Sequence, residues 1–148
     1  MGWIDALRGE TVALDTAPLI YFIEEHPVHA GKLQPFFEAA EHGEFQVVTS
    51  YLTLLEVLVH PLRMGRDDLV REYRNIFLRS ASLRPVSVDD AIAAEGARLR
   101  ALYNVRTPDA IHLATALQAG AKWFLTNDLR LPALTGLSIL TLDHLPAA

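Results

Sequence analysis

The sequence predicts an α/β fold, a three-layer α/β/α sandwich around a central, mainly parallel sheet of about five strands. Two observations carry this. Short apolar, β-rich runs alternate with helical patterns along the whole chain, as strands joined by helical crossovers do. A sheet built this way is covered by helices on both faces. In addition, no linker-like, repeated or low-complexity segment divides the 148 residues. Residues 1–148 therefore read as a single domain with a real core.

Taken in order, the elements begin with the apolar run Val12 to Leu14, a strand that stops at Asp15. Thr16, Ala17 and Pro18 turn the chain into a helix from Pro18 to Glu25, which His26-Pro27 ends, since a residue before proline avoids the α region. His29 to Ala40 is a second helix with Leu33, Phe36, Phe37 and Ala40 on its apolar face. Phe45 to Thr49 is a strand, and Ser50 caps a helix from Tyr51 to Val59 that His60-Pro61 stops. Asp67 or Asp68 opens a helix to about Leu78, Leu83 to Val86 is a strand, and Ser87 with Asp90 begins a helix to about Leu102. The next helix has strong ends: Thr107 as N-cap, Pro108 at the first position and Gly120 past the last. Trp123 to Leu125 and Leu137 to Leu142 complete the strands.

Composition narrows the function classes. Hydrophobic residues make up 51% and charged ones 21%, a soluble globular balance. No apolar run reaches the ~18 residues a membrane span needs, and Asp5 breaks any secretory pattern at the start. Gly2 invites myristoylation, but Ala6 stands where Ser or Thr is wanted. Cysteine is absent, which excludes disulfides and thiolate metal sites and fits a cytoplasmic location. The net charge is −5, unevenly spread: residues 1–62 hold nine acids against Arg8 and Lys32, while residues 63–148 are net +2. Arg63, Arg66, Arg71, Arg74, Arg79 and Arg84 cluster in one stretch, either a basic face or a solvated helix balanced by Asp67, Asp68 and Glu72.

Four carboxylates stand out. Asp15 ends the first strand, where open α/β sheets bind ligands; a helix cap is an equal reading. Glu56 lies in Y-L-T-L-L-E-V-L-V, a helix apolar nearly all round and so expected to be buried. A buried carboxylate is normally paired or metal-bound. Asp109 sits in a helix's first turn, where the dipole favours an acid, and Asp128 follows Thr126-Asn127 as a turn residue does. Together the four fall where strands hand over to helices, the placement a carboxylate-lined site for Mg²⁺ or Mn²⁺ requires. The histidines lack H-E-x-x-H spacing. His112, one turn after Asp109, reads first as a satisfied core histidine and second as a hydrogen-bond partner of a metal ligand. Trp3, Trp123 and Tyr103 offer no functional argument beyond size.

These residues resemble a known family. D-T-A-P-L-I-Y-F-I-E at 15–24, S-Y-L-T-L-L-E-V-L-V-H-P at 50–61, T-P-D-A-I-H-L-A-T-A at 107–116 and L-T-N-D at 125–128 are similar to PIN-domain ribonucleases, most closely the toxins of VapBC toxin–antitoxin pairs. The resemblance spans residues 11–142, with the acids 41, 53 and 19 residues apart in the family's order. It implies a five-stranded parallel sheet, with Asp15, Glu56, Asp109 and Asp128 as catalytic metal ligands for one or two Mg²⁺ or Mn²⁺ ions. Thr16 and Thr126 become supporting hydroxyls, and Ala17 departs from the serine often found there. The implied reaction is in-line attack of an activated water on an RNA phosphodiester, transfer RNA being a frequent target. The implied partners are the RNA, a small VapB-like antitoxin and a second copy of the chain. Arg71, Arg74 and Arg79 are the candidate RNA contacts.

Competing classes are weaker. A haloacid-dehalogenase-type phosphatase wants a second Asp at position 17, which is Ala. A receiver domain wants an acidic pair approaching the first strand and a later Lys, and neither is evident. A non-catalytic binding module is disfavoured because all four acids remain. A PIN-fold RNA-processing nuclease without an antitoxin stays open.

Overall fold

The computed structural model describes residues 2–145; Met1 and residues 146–148 of the expected single domain lie outside the described residues. After a 3-10 turn at Gly2–Leu7 come β1 (Thr11–Leu14), α1 (Thr16–Ile23), α2 (Ala30–Glu41), β2 (Gln46–Ser50), α3 (Tyr51–Arg63) and α4 (Asp67–Arg79). Then follow β3 (Arg84–Val86), α5 (Asp90–Tyr103), α6 (Thr107–Gln118), β4 (Trp123–Thr126), β5 (Ser138–Thr141) and a 3-10 turn at Leu142–His144. The sheet has five strands in the order β3-β2-β1-β4-β5, every pair parallel.

That order follows from how each strand is clothed. Strand side chains alternate between faces, and both faces here are apolar. Val12, Leu14, Val47 and Leu125 join Leu19, Leu33, Phe36, Tyr73 and Phe77 under α1–α4. Ala13, Val48 and Phe124 join Ile92, Leu99, Leu113 and Ala114 under α5 and α6. The chain steps from β1 outward to β2 and β3, then crosses to lay β4 and β5 on β1's other side. The reversal leaves a crevice beyond the carboxyl ends of β1 and β4, the place where such sheets bind ligands.

Several helix ends differ from expectation. α1 spans Thr16–Ile23 rather than Pro18 to Glu25, because Asp15 caps it and the Glu24 N–H closes it on the Ile20 carbonyl. α5 is capped by Asp89, which accepts from the Ile92 N–H, rather than begun by Ser87. Pro61 does not stop α3, which continues to Arg63 with the proline ring buried. Lying in the last turns, Pro61 disrupts only local backbone pairing while its ring adds to the core. Thr107 is the first helical residue of α6 rather than its cap, and Arg106 is the N-cap. The Ala110 N–H bonds to the Arg106 carbonyl, closing the first turn one residue early. Ser50, by contrast, caps α3 as expected, accepting from the Leu52 N–H at 3.0 Å. Past α6, Gly120 adopts a φ of +71° while the Ala121 N–H reaches back to the Ala116 carbonyl, a closure that favours glycine.

Candidate active site

Asp15 is cap and site residue at once. Its Oδ1 accepts from the Thr16 N–H at 2.8 Å, opening α1. Its own N–H bonds to the Leu125 carbonyl at 2.9 Å, extending the β1–β4 ladder past Leu14. This sets Asp15 beside the fully buried Thr126, whose hydroxyl donates to Oδ2 at 2.6 Å. The Thr126 hydroxyl also accepts from the Asp128 N–H at 3.0 Å. One threonine at the end of β4 thus fixes two of the four acids.

Glu56 is not enclosed in a wholly buried helix. α3 buries Thr53, Val57 and Pro61, while Leu55 and Leu62 on its outer side are 60% and 61% exposed. The pattern apolar on every side reflects one face against the core and one left open. Glu56 itself is part-exposed, and its partners are not arginines. Thr16 donates to its Oε1 at 2.7 Å, and His112 Nε2 lies 2.7 Å from the same oxygen. An ionised carboxylate only accepts, so Nε2 is the donor. The His112 bond, opposed by burial and aided by Thr16, holds the Glu56 carboxyl below its usual range. His112, 3% exposed, also stands 3.9 Å from Asp15 Oδ1. The core-histidine reading is therefore half right: the ring is buried, yet it joins two of the acids.

Asp109 and Asp128 have arginine partners that the sequence reading did not single out. Arg106 Nε donates to Asp109 Oδ2 at 3.2 Å. Arg130 donates through Nε and Nη2 to the two oxygens of Asp128, at 3.1 and 3.3 Å, and its backbone N–H adds a bond of 2.9 Å. The Arg130 guanidinium beside Asp128 holds that carboxyl below the usual range. The only sequence signal was adjacency: Arg106 precedes T-P-D, and Arg130 follows N-D by two.

Asp15, Asp109 and Asp128 line two adjoining clefts, and Glu56 lines neither. A cleft of about 440 Å³ is lined by Asp15, Tyr21, Thr126, Asn127, Asp128 and Arg130, among others. Asp128 and Arg130 also line a second notch of about 190 Å³ with Tyr103, Arg106, Asp109 and Pro132. Arg71, Arg74 and Arg79 are exposed on α4 and line neither cleft. A larger cleft, about 860 Å³ between α1, α2 and α4, contains none of the four acids.

A comparison with protein families matches the PIN domain over residues 12–137. The chain belongs to the PIN-domain family. Solved structures of similar fold include a toxin–antitoxin complex from Klebsiella pneumoniae, at 21% identity and TM-score 0.65, covering 88% of this chain and 97% of that one. A DNA-bound VapBC from Salmonella typhimurium is 18% identical with TM-score 0.70, covering 90% and 98%. VapC20 of Mycobacterium tuberculosis, described as a Sarcin-Ricin loop cleaving toxin, is 14% identical with TM-score 0.62, covering 76% and 86%. No curated protein sequence matches.

The donor chemistry of this PIN domain suits a hard divalent cation: carboxylate and hydroxyl oxygens, part-exposed, with no sulfur. Among the described residues, no three His, Cys, Asp or Glu side chains converge on one point.

Proposed function

We propose that this chain is a divalent-metal-dependent endoribonuclease and the toxin of a toxin–antitoxin pair. The observation that carries the reading is the linked set of carboxylates at the β1/β4 crevice. Glu56 meets Asp15 through Thr16 and His112. Asp15 meets Asp128 through Thr126, and Asp128 shares a notch with Asp109. Asp15 and Asp128 line the cleft and Asp109 the adjoining notch, where carboxylate oxygens suit a hard divalent cation. Asp15, Glu56, Asp109 and Asp128 would hold Mg²⁺ or Mn²⁺, one ion or two. Bound there, such an ion lowers the pKa of water and offsets charge on a phosphoryl oxygen.

The chain's own groups supply orientation. The Thr126 hydroxyl and the Thr16 N–H donate to the two carboxylate oxygens of Asp15 and fix its rotamer. Thr16 and His112 fix Glu56 through Oε1, leaving its second oxygen without a protein hydrogen bond among the described residues. VapC20, described as cleaving the Sarcin-Ricin loop, supports structured RNA as the substrate class, and single-stranded loops are where RNA bases are open to recognition. The same reading brings a small antitoxin and a second copy of this chain, the latter supported by the exposed Leu55, Val59, Leu62 and Met64 around α3. Co-purification with a small neighbouring gene product and the mass in solution test these two partners.

The test of the activity is cleavage of a total transfer-RNA pool with Mg²⁺, Mn²⁺ or EDTA, beside Asp15→Asn and Asp109→Asn. Asparagine caps a helix as well as aspartate does, so Asp15→Asn keeps α1 while removing charge. Discrete fragments that need metal and fall ~100-fold or more in both variants are expected, several kcal/mol of metal-based stabilisation being at stake. Equal faint cutting by wild type and variants would show contamination and return the acids to caps and ion pairs.

A further inference from the structure

The notch beside the acids has the chemistry of a nucleotide subsite. Tyr103, the last residue of α5, is 43% exposed at its wall. The loop that carries it is fixed: Asn104 adopts the left-handed conformation and its N–H bonds to the Arg100 carbonyl. Arg100 Nε in turn donates to the Val105 carbonyl at 3.0 Å. Arg106 and Arg130 flank the notch with side chains 68% and 78% exposed, each resting on one of the acids. Exposed pairs of this kind are weak, and the guanidinium fork matches a phosphate as well as a carboxylate. At about 190 Å³, the notch is smaller than the ~300–1,000 Å³ of sites that enclose a whole small molecule. Asp128 and Arg130 line this notch and the larger cleft beyond, so a strand crossing that ridge passes over the acids.

We propose that the Tyr103–Pro132 notch seats the nucleotide adjoining the cleaved phosphodiester, its base stacked on Tyr103 and its flanking phosphates held by Arg106 and Arg130. The inference rests on the ribonuclease reading and names the substrate-binding residues of that site. It places nucleic-acid contacts at the mouth rather than on α4.

The probe is a fluorescein-labelled, mixed-sequence, single-stranded RNA 10-mer, with binding followed by anisotropy in EDTA and RNA integrity checked on a gel. Tyr103→Ala is expected to weaken binding about 5- to 100-fold, the range of one base–aromatic stack, with the salt dependence unchanged. Arg106→Gln and Arg130→Gln are each expected to flatten the log–log salt slope by about 0.7, one phosphate on a single strand. Arg8→Gln, whose partners Asp5 and Glu44 lie at the sheet's opposite end, is expected to leave binding unchanged. An abasic 10-mer is expected to bind wild type and Tyr103→Ala alike. Wild-type binding by all three notch variants, with wild-type protein still cutting RNA in Mg²⁺, would overturn the subsite and leave the ribonuclease reading intact. Wild type that neither binds the 10-mer nor cuts RNA would overturn both.

Discussion

The aromatic packing beneath α2 and the part-exposed polar seam beyond β1 and β4 hold the protein by different means. Phe36, fully buried, stacks with Trp3 at 5.8 Å, meets Phe37 edge-on at 5.0 Å and tilts against Phe45 at 5.1 Å. Those contacts are non-directional and depend on filled volume. In the seam, Thr16, Thr126 and His112 serve carboxylates through single hydrogen bonds. There the stabilisation is directional and follows charge, because a buried polar group without a partner costs more than a made bond contributes. A fold that needs rigidity and a site that needs exposed negative charge divide the molecule between them.

The largest expected stability effect lies on the aromatic side. Phe36→Ala removes a ring from contact with three others and should cost about 3–5 kcal/mol, a large share of the ~5–15 kcal/mol typical of a domain. Urea melts measure it, and the loss should be the same at pH 7 and in mild acid, since no titrating group is involved. A loss below ~1 kcal/mol would mean that α2 repacks and that the aromatic side is not the stabilising one.

Glu56→Gln sharpens the contrast through pH. The folded carboxyl is held below its ordinary value of 4.5, so its contribution is present above that value and disappears as pH falls through the folded pKa. In EDTA at pH 7 the variant should be less stable by about 1 kcal/mol, a figure reduced for partial exposure. The deficit should shrink as pH drops below about 4.5. A pH-independent deficit would assign the seam's contribution at Glu56 to packing and erase the distinction.

The same contrast explains what could be read from the residues alone. Alternating apolar runs and helices foretold the parallel sheet, because burial on both faces is a local property of each strand. Asp15 and Ser50 could be recognised as caps, since a cap acts within three residues of itself. The start of α6 was off by one because Thr107 and Arg106 differ in which carbonyl Ala110 selects, a geometric choice that composition does not express. Glu56 could be picked out as anomalous, but its partner His112 stands 56 positions away and is brought near only by the packing of α3 and α6. Arg106 and Arg130 were hidden for a related reason. Their importance comes from the notch between the α5–α6 loop and the β4 loop, and that notch exists only once the sheet is folded.

Thr53→Val probes the seam where it should be most forgiving. Thr53 is fully buried, and its Oγ1 lies 2.8 Å from Thr49 Oγ1 and 3.4 Å from Thr16 Oγ1. Valine keeps the shape and deletes the oxygen. Neither donor is then stranded: Thr49 has the Leu14 carbonyl at 3.0 Å, and Thr16 has Glu56 at 2.7 Å. The expected loss is therefore below about 1 kcal/mol, against ~1–3 for a buried donor left alone. A urea midpoint close to wild type, with RNA cleavage unchanged, would show that the seam orients its carboxylates through bonds with spare acceptors. A loss above ~2 kcal/mol would instead show that Thr49, Thr53, Thr16 and Glu56 act as one cooperative network, in which each hydroxyl supports the next.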